Sequence, residues 1–287
     1  MEGPKKYSTA TAFRRALEDR LKLISEKERI PIERLRLKVA FDRFLARLFA
    51  VENAPWLLKG GYALELRIKE ARVTKDIDMA LRKSISKDNS LNESVFTALD
   101  KSAAIDLSDF FVFEIGGLIK DLSAAPYGGA RFPVEALMDA RIFVKFHIDI
   151  GAGDVVLTPD TIAGRDWLKF AGIPAAQFLT ISKEQHFAEK IHAYTLPRPS
   201  TNSRVRDMID MVLLIRSSPA LDLPLVKKAI LATFNRRKTH AIPEDLLPPS
   251  ADWKQPYAAL AHQCGLSEDL DEAFRLLKKY LGHVQKR

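Results

Sequence analysis

The sequence has little cysteine and no long apolar run. Cys264 is the one cysteine among 287 residues, which excludes a disulfide framework and a thiolate metal site. No uncharged apolar stretch reaches about 18 residues, the length that a membrane-spanning helix needs. The first residues, Met1 to Lys6, lack the layout of a secretory signal. We therefore expect a protein of the reducing cytoplasm that has no membrane partner.

Short motifs that mark several enzyme classes are also missing. The six histidines are scattered and form no His-Glu-x-x-His pair, so a zinc hydrolase is not expected. No Gly-Lys-Ser/Thr phosphate loop occurs. Gly151-Ala152-Gly153 follows a predicted strand, but no helical pattern begins after it, which argues against a dinucleotide fingerprint.

The hydrophobic pattern divides the chain into three parts. Residues 8–50 have the helical period, residues 56–156 mix short helices with alternating strand patterns, and the helical period returns from residue 182. This order predicts an α+β fold with a mixed-sheet core, an N-terminal helical segment and a C-terminal helical bundle. We place the domain boundary between residues 1–180 and 181–287. Arg36, Arg43 and Arg47 share one face of the second predicted helix, which we interpret as solvent-exposed, with phosphate contact as the alternative.

The net charge of +8 is concentrated in two basic blocks. Residues 1–50 hold 13 Lys and Arg against 7 Asp and Glu, and residues 181–240 hold 11 against 5. Each block therefore carries +6, and the rest of the chain carries −4. This distribution suits a polyanionic partner beside an acidic centre, although an ordinary basic surface would give the same total.

An Asp-x-Asp pair is the most informative motif. The segment from Val73 to Leu81 alternates as a strand, so Thr74, Asp76 and Asp78 are predicted to share its polar face. Neighbouring carboxylates repel each other, and a divalent cation removes the repulsion. Oxygen ligands favour Mg²⁺, or Mn²⁺, over zinc.

A glycine pair and a third carboxylate accompany this motif. Gly60 and Gly61 precede a predicted short helix, whose first backbone amides can approach phosphate oxygens closely. In the strand pattern from Val144 to Ile150, Asp149 lies on the polar face. We predict Asp149 to be a third metal ligand or a general base, and a water-exposed aspartate at a strand end is the alternative.

These motifs together resemble the DNA polymerase β-like nucleotidyltransferase superfamily and, within it, the AbiEii toxin family. The resemblance covers about residues 56–215. It rests on four blocks: Lys59-Gly60-Gly61-x-Ala63-Leu64, Arg72-x-Thr74-x-Asp76-Ile77-Asp78, Ala188-Glu189-Lys190-Ile191-His192-Ala193-Tyr194 and Asn202-Ser203-Arg204-Val205-Arg206-Asp207-x-x-Asp210. We therefore interpret residues 1–180 as a nucleotidyltransferase domain with N-terminal helices and residues 181–287 as a C-terminal helical domain.

The resemblance also implies roles for individual residues. It places Lys190 and Asp207 in the active site, although Arg206 stands where the family commonly has lysine. On its helix, Lys190 shares a predicted basic face with Lys183 and His186. A solvated lysine and a surface ion pair are the alternatives for Lys190 and Asp207. The full expectation is a catalytic set of Asp76, Asp78, Asp149, Lys190 and Asp207, metal ligation by Asp76, Asp78 and Asp149, and nucleotide binding by Lys59, Gly60, Gly61, Thr74 and Lys190.

The implied function is Mg²⁺-dependent transfer of a nucleoside monophosphate from a nucleoside triphosphate to an acceptor hydroxyl. The family resemblance implies an RNA acceptor, the acceptor end of transfer RNA, and a toxin paired with a separately encoded antitoxin. Two alternatives stay open from the residues alone. The acceptor could be a small molecule or a protein, or the chain could be a nucleotide-binding or RNA-binding module without catalysis.

Overall fold

A computed structural model describes residues 6–82, 91–122, 125–198 and 204–286. Asn202 and Ser203 of the fourth sequence block lie outside these ranges. The helices within them are α1 (Ala10–Glu28), α2 (Ile32–Leu48), α3 (Gly60–Arg67), α4 (Leu91–Ala103), α5 (Lys183–Thr195), α6 (Val205–Arg216), α7 (Leu223–Arg237), α8 (Lys254–Gln263) and α9 (Leu270–Lys286). The strands are β1 (Trp56–Lys59), β2 (Asp76–Leu81), β3 (Phe111–Ile115), β4 (Lys120–Asp121), β5 (Gly129–Met138), β6 (Arg141–Gly151), β7 (Asp160–Ala163) and β8 (Gln177–Thr180).

The eight strands form one mixed sheet in the order β3-β5-β6-β2-β1-β8-β7, with β4 paired to β5. β2 runs parallel to β6 and β1 runs parallel to β8, whereas β3, β4 and β6 are antiparallel to β5. A tight turn at Asp139 and Ala140, both with positive φ, joins β5 to β6. The mixed sheet and the two helical regions confirm the predicted α+β fold.

Two compact units make up the chain. The sheet unit comprises Met1–Leu58, Lys75–Gly153 and Thr161–Thr180. The helical unit comprises Lys59–Thr74, Asp154–Asp160 and Ile181–Arg287. One boundary therefore lies at 180/181, and two short segments from earlier in the chain pack with the C-terminal helices. The division into domains 1–180 and 181–287 stays a prediction.

Helix α2 covers the central strands of the sheet unit. The ring of Phe146 on β6 lies 4.9 Å from that of Phe41 and 5.6 Å from that of Phe44, both on α2. These three side chains are buried. Burying such aromatic rings removes a large apolar area from water and adds edge-to-face contacts. β6 is therefore held firmly at the middle of the sheet.

The interpretation of Arg43 and Arg47 as solvent-exposed is wrong. Both side chains are buried in the sheet unit, where they bind the fully buried carboxylate of Asp109 at 2.6 Å each. Burial alone would raise the pKa of Asp109, yet Arg47 and Arg43 lower it below its usual range. The two guanidinium groups therefore neutralise a carboxylate 62 and 66 residues away in the chain instead of meeting phosphate.

The helical unit has its own apolar core, centred on α6. Met208, Ile209, Met211 and Val212 are fully buried, and α6 packs against α5, α8 and α9. Leu64 of α3 joins the same core. No helix in the described ranges is both long enough and apolar enough to cross a lipid bilayer.

The Asp109 cluster gives a test of the sheet unit's stability. Asp109→Asn removes the charge that compensates Arg43 and Arg47, and leaving buried charges unpaired costs about 3–5 kcal/mol. We expect urea denaturation, followed by circular dichroism, to show a loss of this size. Asp166→Asn is the matched control, because Asp166 forms an exposed pair with Lys169 that is worth less than about 1 kcal/mol. Equal effects of the two substitutions would contradict this account.

Candidate active site

Three carboxylates lie on one face of the two central parallel strands. In the β2–β6 register, Asp78 is directly opposite Asp149 and Asp76 is opposite His147. Ile77, between the two aspartates of β2, is fully buried on the other face. Paired residues of adjacent strands point to the same side, so the sheet brings together the three aspartates predicted from the sequence.

The positively charged side chain of Arg131 contacts the row formed by Asp76, Asp78 and Asp149. Arg131 on β5 is the register partner of Asp149. Its Nε and Nη2 atoms donate to the two oxygens of Asp149 at 2.6 and 2.7 Å, and Nη2 lies 3.6 Å from Asp76. The hydrogen bond to Asp149 is the largest effect that raises the pKa of Arg131. Sequence reasoning missed Arg131, because nothing in the chain signals which β5 residue faces Asp149.

His147 adds a second contact to this face. Its Nδ1 lies 3.3 Å from an oxygen of Asp76, and its side chain is 43% exposed. The ring is therefore within reach of both the carboxylates and the solvent.

The donor set fits a hard divalent cation in its chemistry. All three groups are carboxylates, which Mg²⁺ and Mn²⁺ prefer, and two of them already contact one guanidinium group. No three His, Cys, Asp or Glu side chains in the described ranges are arranged to hold a metal ion. Metal ligation by Asp76, Asp78 and Asp149 therefore stays a prediction.

The glycine pair begins helix α3 in the helical unit. Gly60 has φ +66°, a conformation that strains other residues. A Cβ atom on Gly61 would come within 2.8 Å of the Thr74 Cβ. Gly61 is thus required for the close approach of the Thr74 segment, besides any part in phosphate binding.

The expectation that Thr74 shares the strand face of the aspartates is wrong. β2 begins only at Asp76, and Thr74 precedes it within the helical unit. There the backbone N–H of Thr74 donates to Glu65 of α3. The alternating sequence pattern includes Thr74, but the strand begins two residues later. Thr74 is held by its hydrogen bond to Glu65, and a sequence pattern cannot distinguish such a contact from strand pairing.

Lys59 lies in a network of four charges within the helical unit. Its ammonium group is 2.6 Å from Asp154 and 3.7 Å from Glu189. Arg237 contacts the same two carboxylates at 2.8 and 3.9 Å. Burial alone would lower the pKa of Lys59, yet Glu189 and Asp154 raise it above its usual value. Sequence reasoning missed Asp154 and Arg237, which are 83 residues apart.

Lys190 and Asp207 form one buried ion pair, which excludes both a solvated lysine and a surface pair. The ammonium of Lys190 lies 2.8 Å from Asp207 and 2.8 Å from Asp210. Arg72 binds both oxygens of Asp210 at 2.8 Å. Burial alone would raise the pKa of Asp210, but Lys190 and Arg72 lower it to about 2. Asp210 therefore stays ionised, and its charge raises the pKa of Lys190 against the effect of burial.

The predicted basic face of α5 is wrong at His186. The His186 side chain is 1% exposed, and burial lowers its pKa well below the ordinary value. A neutral ring therefore replaces the expected positive charge. Lys183, at the start of α5, contacts the carbonyl oxygen of Pro219. The helical period placed these residues on one face but could not show what packs against it.

Solved structures similar to this chain include two bacterial proteins. MenT4, a nucleotidyltransferase toxin from Mycobacterium tuberculosis H37Rv, has a TM-score of 0.56 at 14% identity, covering 93% of this chain and 98% of its own. JHP933 from Helicobacter pylori has a TM-score of 0.43 at 16% identity, covering 88% of this chain and 97% of its own. The likeness to MenT4 concerns the fold. No curated protein sequence matches the chain.

A family profile covers most of the sequence. The profile described as "Nucleotidyl transferase AbiEii toxin, Type IV TA system" matches residues 43–278, a range that includes both carboxylate strands and the Lys190–Asp207 pair. Nucleotidyltransferases of this kind typically use a divalent metal, and a type IV toxin implies a nucleoside triphosphate substrate and an antitoxin partner. The chain therefore belongs to the AbiEii family of nucleotidyltransferase toxins.

Proposed function

We propose that the chain transfers a nucleoside monophosphate from a nucleoside triphosphate to the acceptor end of transfer RNA in a Mg²⁺-dependent reaction. The observation that carries this proposal is the row of Asp76, Asp78 and Asp149 on one sheet face. Family membership supplies the reaction class. Adjacent carboxylates repel each other, and a divalent cation would add to the single positive charge that Arg131 brings to the row.

The carboxylate row has a defined part in the proposed chemistry. Asp76 and Asp78 hold the divalent cation, and Asp149 either completes the ligand set or accepts the proton of the acceptor hydroxyl. When bound, Mg²⁺ neutralises the triphosphate and lowers the pKa of that hydroxyl, and Mn²⁺ has the same chemistry. The hydroxyl oxygen forms a bond to the α-phosphorus, the bond from that phosphorus to the pyrophosphate oxygen breaks, and pyrophosphate leaves.

In the helical unit we assign phosphate binding to Lys190 first. An ammonium group has three N–H donors, and Asp207 and Asp210 account for two of them. The third can donate to a phosphate oxygen while the carboxylates hold the side chain in place, which is the preorganisation that favours transition-state charge. Asp207 then positions the nucleotide or the acceptor through the same lysine.

Further phosphate contacts are assigned to the segment before and within α3. The backbone amides of Gly60 and Gly61 are at the positive end of that helix, where an anion is favoured. Lys59 adds positive charge next to them in the chain, although its ammonium also serves Asp154. Thr74, whose side chain leaves no room for a Cβ atom at Gly61, is assigned a contact to phosphate.

An RNA acceptor is supported by charge. In the second basic block, Arg206, Lys228 and Lys238 are exposed, as are Arg204 and Arg236. The block therefore offers cations to solvent. Backbone phosphates of a nucleic acid are the extended anion that such a surface would bind, with release of counterions. A small-molecule acceptor would not need such an extended basic surface.

We also propose that a separately encoded antitoxin controls the activity and that the reaction takes place in the cytoplasm. The type IV toxin–antitoxin family supports the first statement. The lone Cys264, which is buried, is compatible with a reducing compartment.

Asp76→Asn tests the proposed chemistry. The substitution keeps the shape of the side chain and removes a charged metal ligand, so we expect transfer from labelled nucleoside triphosphate to fall by a factor of about 10³ or more. Single-turnover assays with total cellular RNA measure this rate. Asp100→Asn, at an exposed position of α4, is the control and should keep the wild-type rate. Transfer by Asp76→Asn at the wild-type rate would refute the scheme.

The acceptor is tested by where the label goes. We expect the label in the transfer RNA band after incubation with each labelled nucleoside triphosphate and total RNA. Label only in protein, or in neither fraction, would contradict an RNA acceptor.

The basic surface gives an independent test of RNA binding. Substituting Arg236 and Lys238 by glutamine should weaken binding of transfer RNA and reduce the slope of log K against log salt by about 1 for each phosphate that the variant no longer binds. Filter binding at several salt concentrations measures the slope. Lys169→Gln, outside the two basic blocks, should leave it unchanged. RNA binding that does not depend on salt would contradict the proposal.

A further inference from the structure

Arg131 is a charged side chain in contact with the carboxylate row, and the proposed chemistry gives it no part. It lies in register with Asp149, which lies in register with Asp78, so one row across β5, β6 and β2 reads arginine, aspartate, aspartate. The adjacent row contains His147 and Asp76. A fixed positive charge thus stands at the end of the carboxylate pair that is proposed to bind a cation.

The geometry makes the guanidinium and a metal ion alternatives for Asp149. Arg131 donates to both oxygens of Asp149 and lies 3.6 Å from Asp76. A metal ion bound by Asp149 would share an oxygen that already accepts a hydrogen bond from Arg131, and it would stand close to a like charge. Since the side chain of Arg131 is 32% exposed, the guanidinium group can leave towards solvent without opening the core.

The Arg131–Asp149 pair is not needed to hold the two strands together. The β5–β6 register runs from Gly129 opposite Gly151 to Met138 opposite Arg141, so its backbone ladder continues for two pairs on one side of Arg131–Asp149 and for seven on the other. The same strands carry a second cross-strand ion pair, between Lys145 and Glu135. Strand pairing alone therefore does not explain a bidentate arginine on the carboxylate face.

We propose that Arg131 is a positioning residue that competes with the divalent cation for Asp149 and thereby lowers the metal affinity of the carboxylate row. The inference rests on the proposed function, because it requires that Asp149 binds a divalent ion together with Asp76 and Asp78. It predicts that metal binding and the Arg131–Asp149 contact weaken each other. The resting protein would then bind metal weakly, and a triphosphate that supplies further ligands and charge would strengthen the binding.

Mn²⁺ binding to the full chain without nucleotide tests this competition. Electron paramagnetic resonance of free Mn²⁺ gives the dissociation constant without any activity assay. We expect Arg131→Gln to lower the Kd for Mn²⁺ by about tenfold or more, because it removes a charge-assisted bidentate competitor. Arg131→Lys keeps the charge but cannot hold both oxygens of Asp149, so its Kd should fall between those of the wild type and Arg131→Gln.

The controls separate competition from overall charge. Arg141→Gln removes the same charge from the same pair of strands, but Arg141 pairs with Asp139 at the hairpin turn, so its Kd should equal that of the wild type. Adding Asp76→Asn to Arg131→Gln should abolish the gained affinity. Thermal unfolding checks that each variant is folded, and if Arg131→Gln is not, Arg131→Lys decides.

Each result has a definite meaning. Tighter Mn²⁺ binding in Arg131→Gln and Arg131→Lys, but not in Arg141→Gln, supports the competition. A Kd within twofold of wild type in both Arg131 variants, or weaker binding, overturns it. If the Arg131 variants gain no affinity but Asp76→Asn loses the Mn²⁺ binding of the wild type, the competition is overturned and the proposed metal function is not. Absence of Mn²⁺ binding in the wild type and in every Arg131 variant overturns both.

Discussion

The parallel register of β2 with β6 is the constraint on which the candidate site depends. It places Asp78 beside Asp149 on one face while Ile77 and Ile148, paired with each other, are buried on the opposite face. A slip of one residue would turn the carboxylates of one strand into the core, at a cost that no local contact could offset. The apolar core therefore fixes the positions of the acidic groups, and α2 reinforces it by covering Phe146 of β6.

Charge compensation is the second theme of both units. In the helical unit, Asp210 is fully buried and is neutralised by Lys190 and Arg72, and this arrangement holds Lys190 in a single position. In the sheet unit, Arg43 and Arg47 neutralise the buried Asp109 in the same way, but they have no part in the proposed chemistry. The buried ion pairs of Asp109 thus serve stability, whereas those of Asp210 also preorganise Lys190. In the sequence, the two clusters differ only in that Lys190 and Asp210 belong to blocks that resemble the AbiEii family.

Much of the site could be predicted because its signals are local. Strict alternation around Asp149, and the Asp-x-Asp spacing of Asp76 and Asp78, indicate the two strands and the face that these side chains share, although the pattern before Asp76 extended β2 too far. The limits of that reasoning appear where distant segments meet. The partner of Asp149 depends on the β5–β6 register, and Arg131 carries no mark of it in the sequence. Tertiary packing likewise decides that Lys59 pairs with Asp154 and that His186 is buried, and the periodicity of the sequence cannot show either.

The central claim is that the carboxylate row binds the divalent cation that nucleotidyl transfer requires. A crystal structure of the protein with Mn²⁺ and a non-hydrolysable nucleoside triphosphate, with the metal located by anomalous scattering, tests it most directly. We expect an anomalous peak bound by carboxylate oxygens of Asp76 and Asp78, with Arg131 withdrawn from Asp149. A bound nucleotide with no peak at these aspartates, or with its metal held by other residues, would contradict the claim.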